Sequence, residues 1–331
     1  MKSTASRWTI GIALIIAIGV SYHPVHADYA AGMNAFKAKD YNTAATEFEA
    51  VLKEQPNEPA THYMLGLCRR AQNNLSAALG SFQKAVELDS ANETPNPMYT
   101  ITLGQTLNQA KQYNEAYSVL KGVSFNSLPN NYRSTYALLF ANAANETNRA
   151  GEAVSVLSSQ VRADSSNADL YQALGVAQDD LGDDKAAYTA FKRAYELNPN
   201  NDASGRYAVR AATAAARRSG SSSEKSTYYT DAARISEALA SKNPTFEHNL
   251  LAGESWLGAK QYSKALTWFE KAKAQQSRNA LVYYYIGQSY TSLGQFSSAL
   301  SSLQQALDLG SGNADLRKKI YNQMGLSLIH I

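Results

Sequence analysis

The sequence predicts an all-α fold, a solenoid of about eight tandem helical hairpins. Three observations carry this. A small residue behind an apolar one recurs at Gly32, Gly66, Gly104, Ala141, Gly175, Gly253 and Gly287, and three of the gaps equal 34 residues, the signature of a repeat array. Within a period the apolar slots step by three and four, as at Tyr63, Leu65 and Gly66 and then at Ala78, Phe82 and Ala85, so each set lies on one helical face. A short polar turn separates the two sets: Lys39-Asp40, Asn73-Asn74, Lys111-Gln112, Gly182-Asp183, Lys260-Gln261 and Gly294-Gln295.

The chain opens with a basic stretch to Arg7, an uncharged apolar stretch from Trp8 to Val20, and Val25-His26-Ala27. This is the layout of a cleaved secretory signal over residues 1–27. Its apolar part falls short of the roughly 20 residues a spanning helix needs. It predicts a periplasmic or secreted mature chain. Copies then fall near residues 25–58, 59–92, 97–130, 134–167, 168–201, 202–244, 246–279 and 280–313. Pro56, Pro199 and Pro244 close second helices, because proline lacks the N–H and clashes with helical backbone. Two copies depart from the pattern. In the fourth, Phe140-Ala141 holds the apolar-small pair. In the sixth, the gap from Gly175 to Gly253 is 78 residues, and the excess is expected in a loop at "SGSSSEKS".

These residues resemble the tetratricopeptide repeat (TPR) family across nearly the whole mature chain. Its pattern reads here as Tyr171, Leu174-Gly175, Ala187, Phe191, Ala194 and Pro199. The resemblance implies a right-handed superhelix with a concave groove lined by first helices, and a binding surface in place of a catalytic pocket. By the family's slots the groove residues are Tyr29, Met33 and Phe36; Tyr63, Leu67 and Arg70; Ile101, Gln105 and Asn108; Leu138, Asn142 and Asn145; and Tyr284 and Gln288, with Gln172, Val176, Asp179, Leu250, Glu254, Leu257 and Thr291 in the same register. The amides Gln105, Asn108, Asn142 and Asn145 suit the peptide groups of an extended ligand, since an amide both donates and accepts. The competing reading makes Tyr63, Ile101 and Tyr284 packing residues between first helices. No basic clamp for a terminal carboxylate occupies these slots.

Other function classes find little support. Lys and Arg number 31 against 28 Asp and Glu, which is no electrostatic footprint for nucleic acid. Cys68 is the single cysteine, so neither an intrachain disulfide nor a thiolate zinc site can form. The five histidines form no HExxH, and neither a phosphate-binding GxxxxGK[ST] loop nor a GxSxG elbow occurs. No enzyme, cofactor or metal is expected. Arg206, Arg210 and Arg217 share a face that is expected to be solvated. The expected function is an exported scaffold for a protein or extended peptide partner, in envelope assembly or secretion, with membrane contact only through that assembly. The alternative is the amino-terminal part of a larger protein, such as an outer-membrane polysaccharide exporter or a repeat-bearing enzyme. Residues 314–325 begin a ninth unit, with Tyr321 and Met324-Gly325 in its slots. The ending Leu326 to Ile331, "LSLIHI", resembles a translated sequencing-library adapter, so a non-native tail is expected there.

Overall fold

The structure is a computed structural model describing residues 27–125, 128–310 and 312–330. The predicted leader lies, up to His26, outside the described residues. The chain forms two compact units, one through Thr106 and one from Leu107.

In the first unit, α1 (Ala27–Lys37) pairs with α2 (Tyr41–Glu54), and α3 (Pro59–Ala71) with α4 (Leu75–Asp89); α5 (Pro97–Gln109) begins here and ends in the second unit. The second unit continues with α6 (Tyr113–Lys121), α7 (Asn130–Glu146), α8 (Ala150–Ala163), α9 (Ala168–Asp180), α10 (Asp184–Leu197), α11 (Asp202–Arg218), α12 (Ser222–Lys242), α13 (Phe246–Gly258), α14 (Tyr262–Gln275), α15 (Ala280–Ser292), α16 (Phe296–Leu309) and α17 (Ala314–Ile329). There each helix packs on the next, and α7 reaches α9, α13 reaches α15 and α15 reaches α17. A chain built only of such neighbour contacts buries its apolar faces by stacking.

One turn geometry joins the helices of seven hairpins. Lys39, Asn73, Lys111, Asn148, Gly182, Lys260 and Gly294 all have φ between 58° and 75°. Around each, the next residue's N–H reaches five residues back, as Asn74 to Arg69 at 2.9 Å, and its own N–H reaches three back, as Asn73 to Arg70 at 3.0 Å. This is the Schellman stop, which satisfies carbonyls left over at the helix end. At three turns the following residue caps the second helix with its side chain: Asp40 accepts from Thr43 N–H, Asn74 from Ala77 and Asp183 from Ala186.

The joint is as uniform as the turn. Phe48, Phe82, Phe191 and Phe269 are fully buried, and each ring lies against the glycine sixteen residues earlier: a Cβ on Gly32, Gly66, Gly175 or Gly253 would stand 2.4–2.8 Å from a ring carbon. Leu303 takes that place against Gly287. Where the fourth hairpin has Ala141, the corresponding wedge is the smaller Leu157, and both are buried.

The sixth hairpin corrects the expected loop. The serine-rich stretch is helical from Ser222, and the surplus residues lengthen α11 to 17 and α12 to 21 residues, against 13 for α9 and 14 for α10. The cause is local. Alanine favours helix throughout α11, and Ser221 accepts from Glu224 N–H while Glu224 accepts from Ser219 Oγ at 2.7 Å, so the polar run starts a helix. Helix α17 packs on α15 and α16 as a further first helix. The ending runs on in it, with Ser327 Oγ 2.8 Å from Thr291 Oγ1 and the His330 ring stacked on Phe296.

Candidate partner-binding face

The expected groove residues divide by burial. In the first unit Tyr63, Leu67 and Ile101 are 6%, 5% and 3% exposed, so they belong to helix packing and not to an open surface. Tyr63 lies 4.8 Å from Tyr99 between ring centroids, and its hydroxyl meets Thr102 Oγ1 at 3.3 Å. Arg70 is spent inside the unit: Nη1 donates to Gln105 Oε1 at 3.2 Å and the guanidinium lies over Phe82. Tyr29 packs on Phe48 and Phe36 on Tyr41, while Met33 is half-buried.

In the second unit the amides do not act as a set. Asn108 Nδ2 donates to the Leu139 carbonyl at 2.9 Å and its Oδ1 is sealed, as is Asn145 Oδ1. Asn108 thus braces α5 against α7, and both side-chain carbonyls are out of a ligand's reach. Asn142 is exposed, and Leu138, Gln172, Val176, Asp179, Leu250, Glu254, Leu257, Tyr284, Gln288 and Thr291 are half-buried. Gln172 accepts from Asn201 and from Ser204 Oγ at 2.6 Å. Tyr284 packs beside Leu303 and Ile320, as the packing alternative has it.

The charged members form a chain across first helices. Arg210 on α11 pairs with Asp179 on α9, and Arg206 with Asp202. Glu254 on α13 accepts a hydrogen bond from Tyr285 on α15, and Arg217 on α11 is near enough to act on both electrostatically. Burial raises the Glu254 carboxyl above its ordinary range, against the pull of Tyr285 and Arg217. Asp180 is raised likewise by burial, then by the neighbouring Asp179 and Glu146.

Some residues take roles the sequence did not suggest. His248 is buried near the start of α13. Its Nδ1 lies 2.8 Å from the Asn243 carbonyl and its Nε2 2.7 Å from Asp202 Oδ1, so one ring ties α11, the end of α12 and α13. Its own N–H is capped by Thr245. His62 Nε2 donates to the Pro56 carbonyl at 2.8 Å. Cys68 is buried and its thiol is pushed up to about 11 by desolvation, which suppresses the thiolate. Trp256 and Trp268, by contrast, take the joint-filling role that their helical positions suggest, beneath Lys264 and Lys271. Among the described residues no helix is long and apolar enough to cross a membrane.

Tetratricopeptide repeat patterns match residues 29–93 and, in a second form, residues 168–201 and 280–309. No curated protein matches the chain by sequence. Among solved structures, the C-terminal part of a TPR repeat-containing protein from Cytophaga hutchinsonii superposes with a TM-score of 0.54 at 16% identity, over 88% of this chain and 98% of that one. A thermophilic TPR protein of Thermus thermophilus gives 0.39 at 17% identity over 57% and 97%, and MamA of Desulfovibrio magneticus gives 0.43 at 16% over 55% and 97%. Residues 29–93, 168–201 and 280–309 of this chain thus match tetratricopeptide repeats, on hairpins that share one turn geometry and one glycine joint.

Proposed function

We propose that the chain is an exported scaffold whose first helices hold an extended segment of a partner protein, in assembly or secretion at the cell envelope. One observation carries the reading. The position after the joint residue is exposed at Asn142 and half-buried at Val176, Glu254 and Gln288 on first helices of the second unit, and α11 adds exposed Arg206 and Arg210. The same slot on α3 holds Leu67, which is closed by packing. The polar side chains at this register, Asn142, Glu254 and Gln288, offer a ligand hydrogen-bonding groups on separate helices, as repeat scaffolds do.

The test uses peptides selected from a random display library against the mature chain. Replacing Asn142 and Gln288 together by alanine is expected to weaken a selected peptide about tenfold, the loss of one to two hydrogen bonds, with the helical circular dichroism unchanged. Failure to select any peptide, or equal affinity for the double variant, overturns the reading. Export rests on the leader sequence and is tested separately: expressed from its own leader in a bacterial host, the protein is expected in the periplasm or medium with Asp28 as its first residue, and an uncleaved cytoplasmic product refutes it.

A further inference from the structure

The first unit carries an open surface depression of about 360 Å³ on a different side of α3 from Tyr63, Leu67 and Arg70, between the second helices α2 and α4. Leu52 and Leu65 line it, and its charged groups are Lys53, Arg69, Lys84 and Glu49. Three permanent cations against one carboxylate leave it two positive charges in excess. Arg69 is already oriented: Nη1 donates to Ser81 Oγ at 2.7 Å and Nη2 to Glu49 Oε1 at 2.9 Å. Lys84 reaches outward to Glu87 at 2.9 Å, a carboxylate that is 68% exposed and therefore readily exchanged.

Gly80 widens the depression. It stands in the middle of α4 and lines the depression, and a Cβ built on it meets nothing within 4 Å. Unlike Gly66 it admits no wedge, and its helical position would favour alanine. Nothing in the packing of the first unit requires glycine there. What the missing side chain provides is open wall beside Lys84 and Ser81.

We propose that this depression binds a small dianionic oxyanion of the phosphate type, with Lys53, Arg69 and Lys84 supplying charge, Ser81 holding Arg69 in place and Gly80 leaving the space. A dianion matches the excess charge, and a guanidinium fork suits tetrahedral oxyanions. Glu49 opposes the ligand and keeps Arg69 oriented while the depression is empty.

The test is calorimetric titration of the mature chain with inorganic phosphate at low ionic strength, with acetate as the singly charged comparator and phosphatidic-acid vesicles as the membrane-borne one. Phosphate is expected to bind more tightly than acetate. Each unit charge about 6 Å from a dianion changes affinity about tenfold under water-like screening. Lys53→Gln with Lys84→Gln is thus expected to weaken phosphate about a hundredfold, and Glu49→Gln to tighten it about tenfold. Gly80→Ala is expected to raise the melting temperature while weakening phosphate. That opposed pair of changes separates a ligand site from a surface with no ligand. Absence of phosphate binding, binding of vesicles alone, unchanged affinity in the lysine double variant, or Gly80→Ala binding as wild type overturns the proposal.

Discussion

The Cβ that Gly66 lacks would stand 2.5 Å from Cε1 of Phe82, so glycine and phenylalanine sixteen residues apart form one joint. Alanine at residue 66 gains helix propensity but pushes into a fully buried ring. Gly66→Ala is therefore expected to destabilise by about 1–3 kcal/mol. The fourth hairpin shows the compensation, with Ala141 and Leu157 in the two slots. Adding Phe82→Leu to Gly66→Ala is expected to cost less than the sum of the two single changes, by about 1 kcal/mol. Urea unfolding of the four proteins measures the coupling, and strict additivity refutes the joint as described.

The turns yield a prediction of opposite sign. Lys39, Lys111 and Lys260 hold φ of 63°, 62° and 58°, a left-handed conformation that costs an L-residue about 1–2 kcal/mol. Glycine adopts it freely but gains disorder in the unfolded chain. Each Lys→Gly change is expected to stabilise by up to about 1 kcal/mol. Gly182→Ala, at φ 75°, is expected to destabilise by about 1–2 kcal/mol. Thermal melts decide, and a destabilised Lys111→Gly contradicts the stop geometry.

His248 predicts a loss that depends on a distant partner. Both of its ring nitrogens lie within hydrogen-bond distance of an oxygen, of the Asn243 carbonyl and of the Asp202 carboxylate, so the ring links two other helices at once. His248→Gln keeps at most part of this arrangement in a buried place and is expected to cost about 1–3 kcal/mol. Asp202→Asn is expected to cost less in the His248→Gln background than in the wild type. Equal costs in the two backgrounds, measured by chemical unfolding, remove the proposed tie.

The periodic part of this architecture was legible in the sequence because it is set by local rules: residue size at Gly66 and Phe82, and turn chemistry at Asn73-Asn74. The sixth hairpin was misread because a serine-rich run reads as loop until Ser221 and Glu224 are recognised as a capping pair. The binding face was only partly legible. The slot rule places Tyr63, Ile101 and Asn142 on equivalent sides of their helices, but burial is decided by the neighbouring helix, whose side chains differ at every joint. Tyr63 meets Tyr99 and closes, whereas Asn142 stays exposed. The His248 site was illegible for a related reason, since Asp202 lies two helices earlier and no local spacing links the two.

Glu254 gives a prediction that is signed by pH. Burial holds its carboxyl above the ordinary glutamate value of 4.5 in the folded chain, so the native state binds this proton more tightly than the unfolded state does. Below about 4.5 both states are protonated and the group is neutral in the balance. As pH rises through the folded value the native state must ionise a desolvated carboxylate, and stability falls relative to a chain without it. Glutamine keeps an oxygen for the Tyr285 hydroxyl and carries no charge. Glu254→Gln is therefore expected to be more stable than the wild type at pH 7 and equal to it near pH 4. The Arg217 guanidinium partly offsets the cost by attraction, so Arg217→Gln is expected to enlarge the gain at pH 7 and to leave the pH 4 result unchanged. Unfolding midpoints of the wild type and the three variants at both pH values measure this, and a Glu254→Gln gain that is the same at pH 4 and pH 7 shows that burial of charge is not its source.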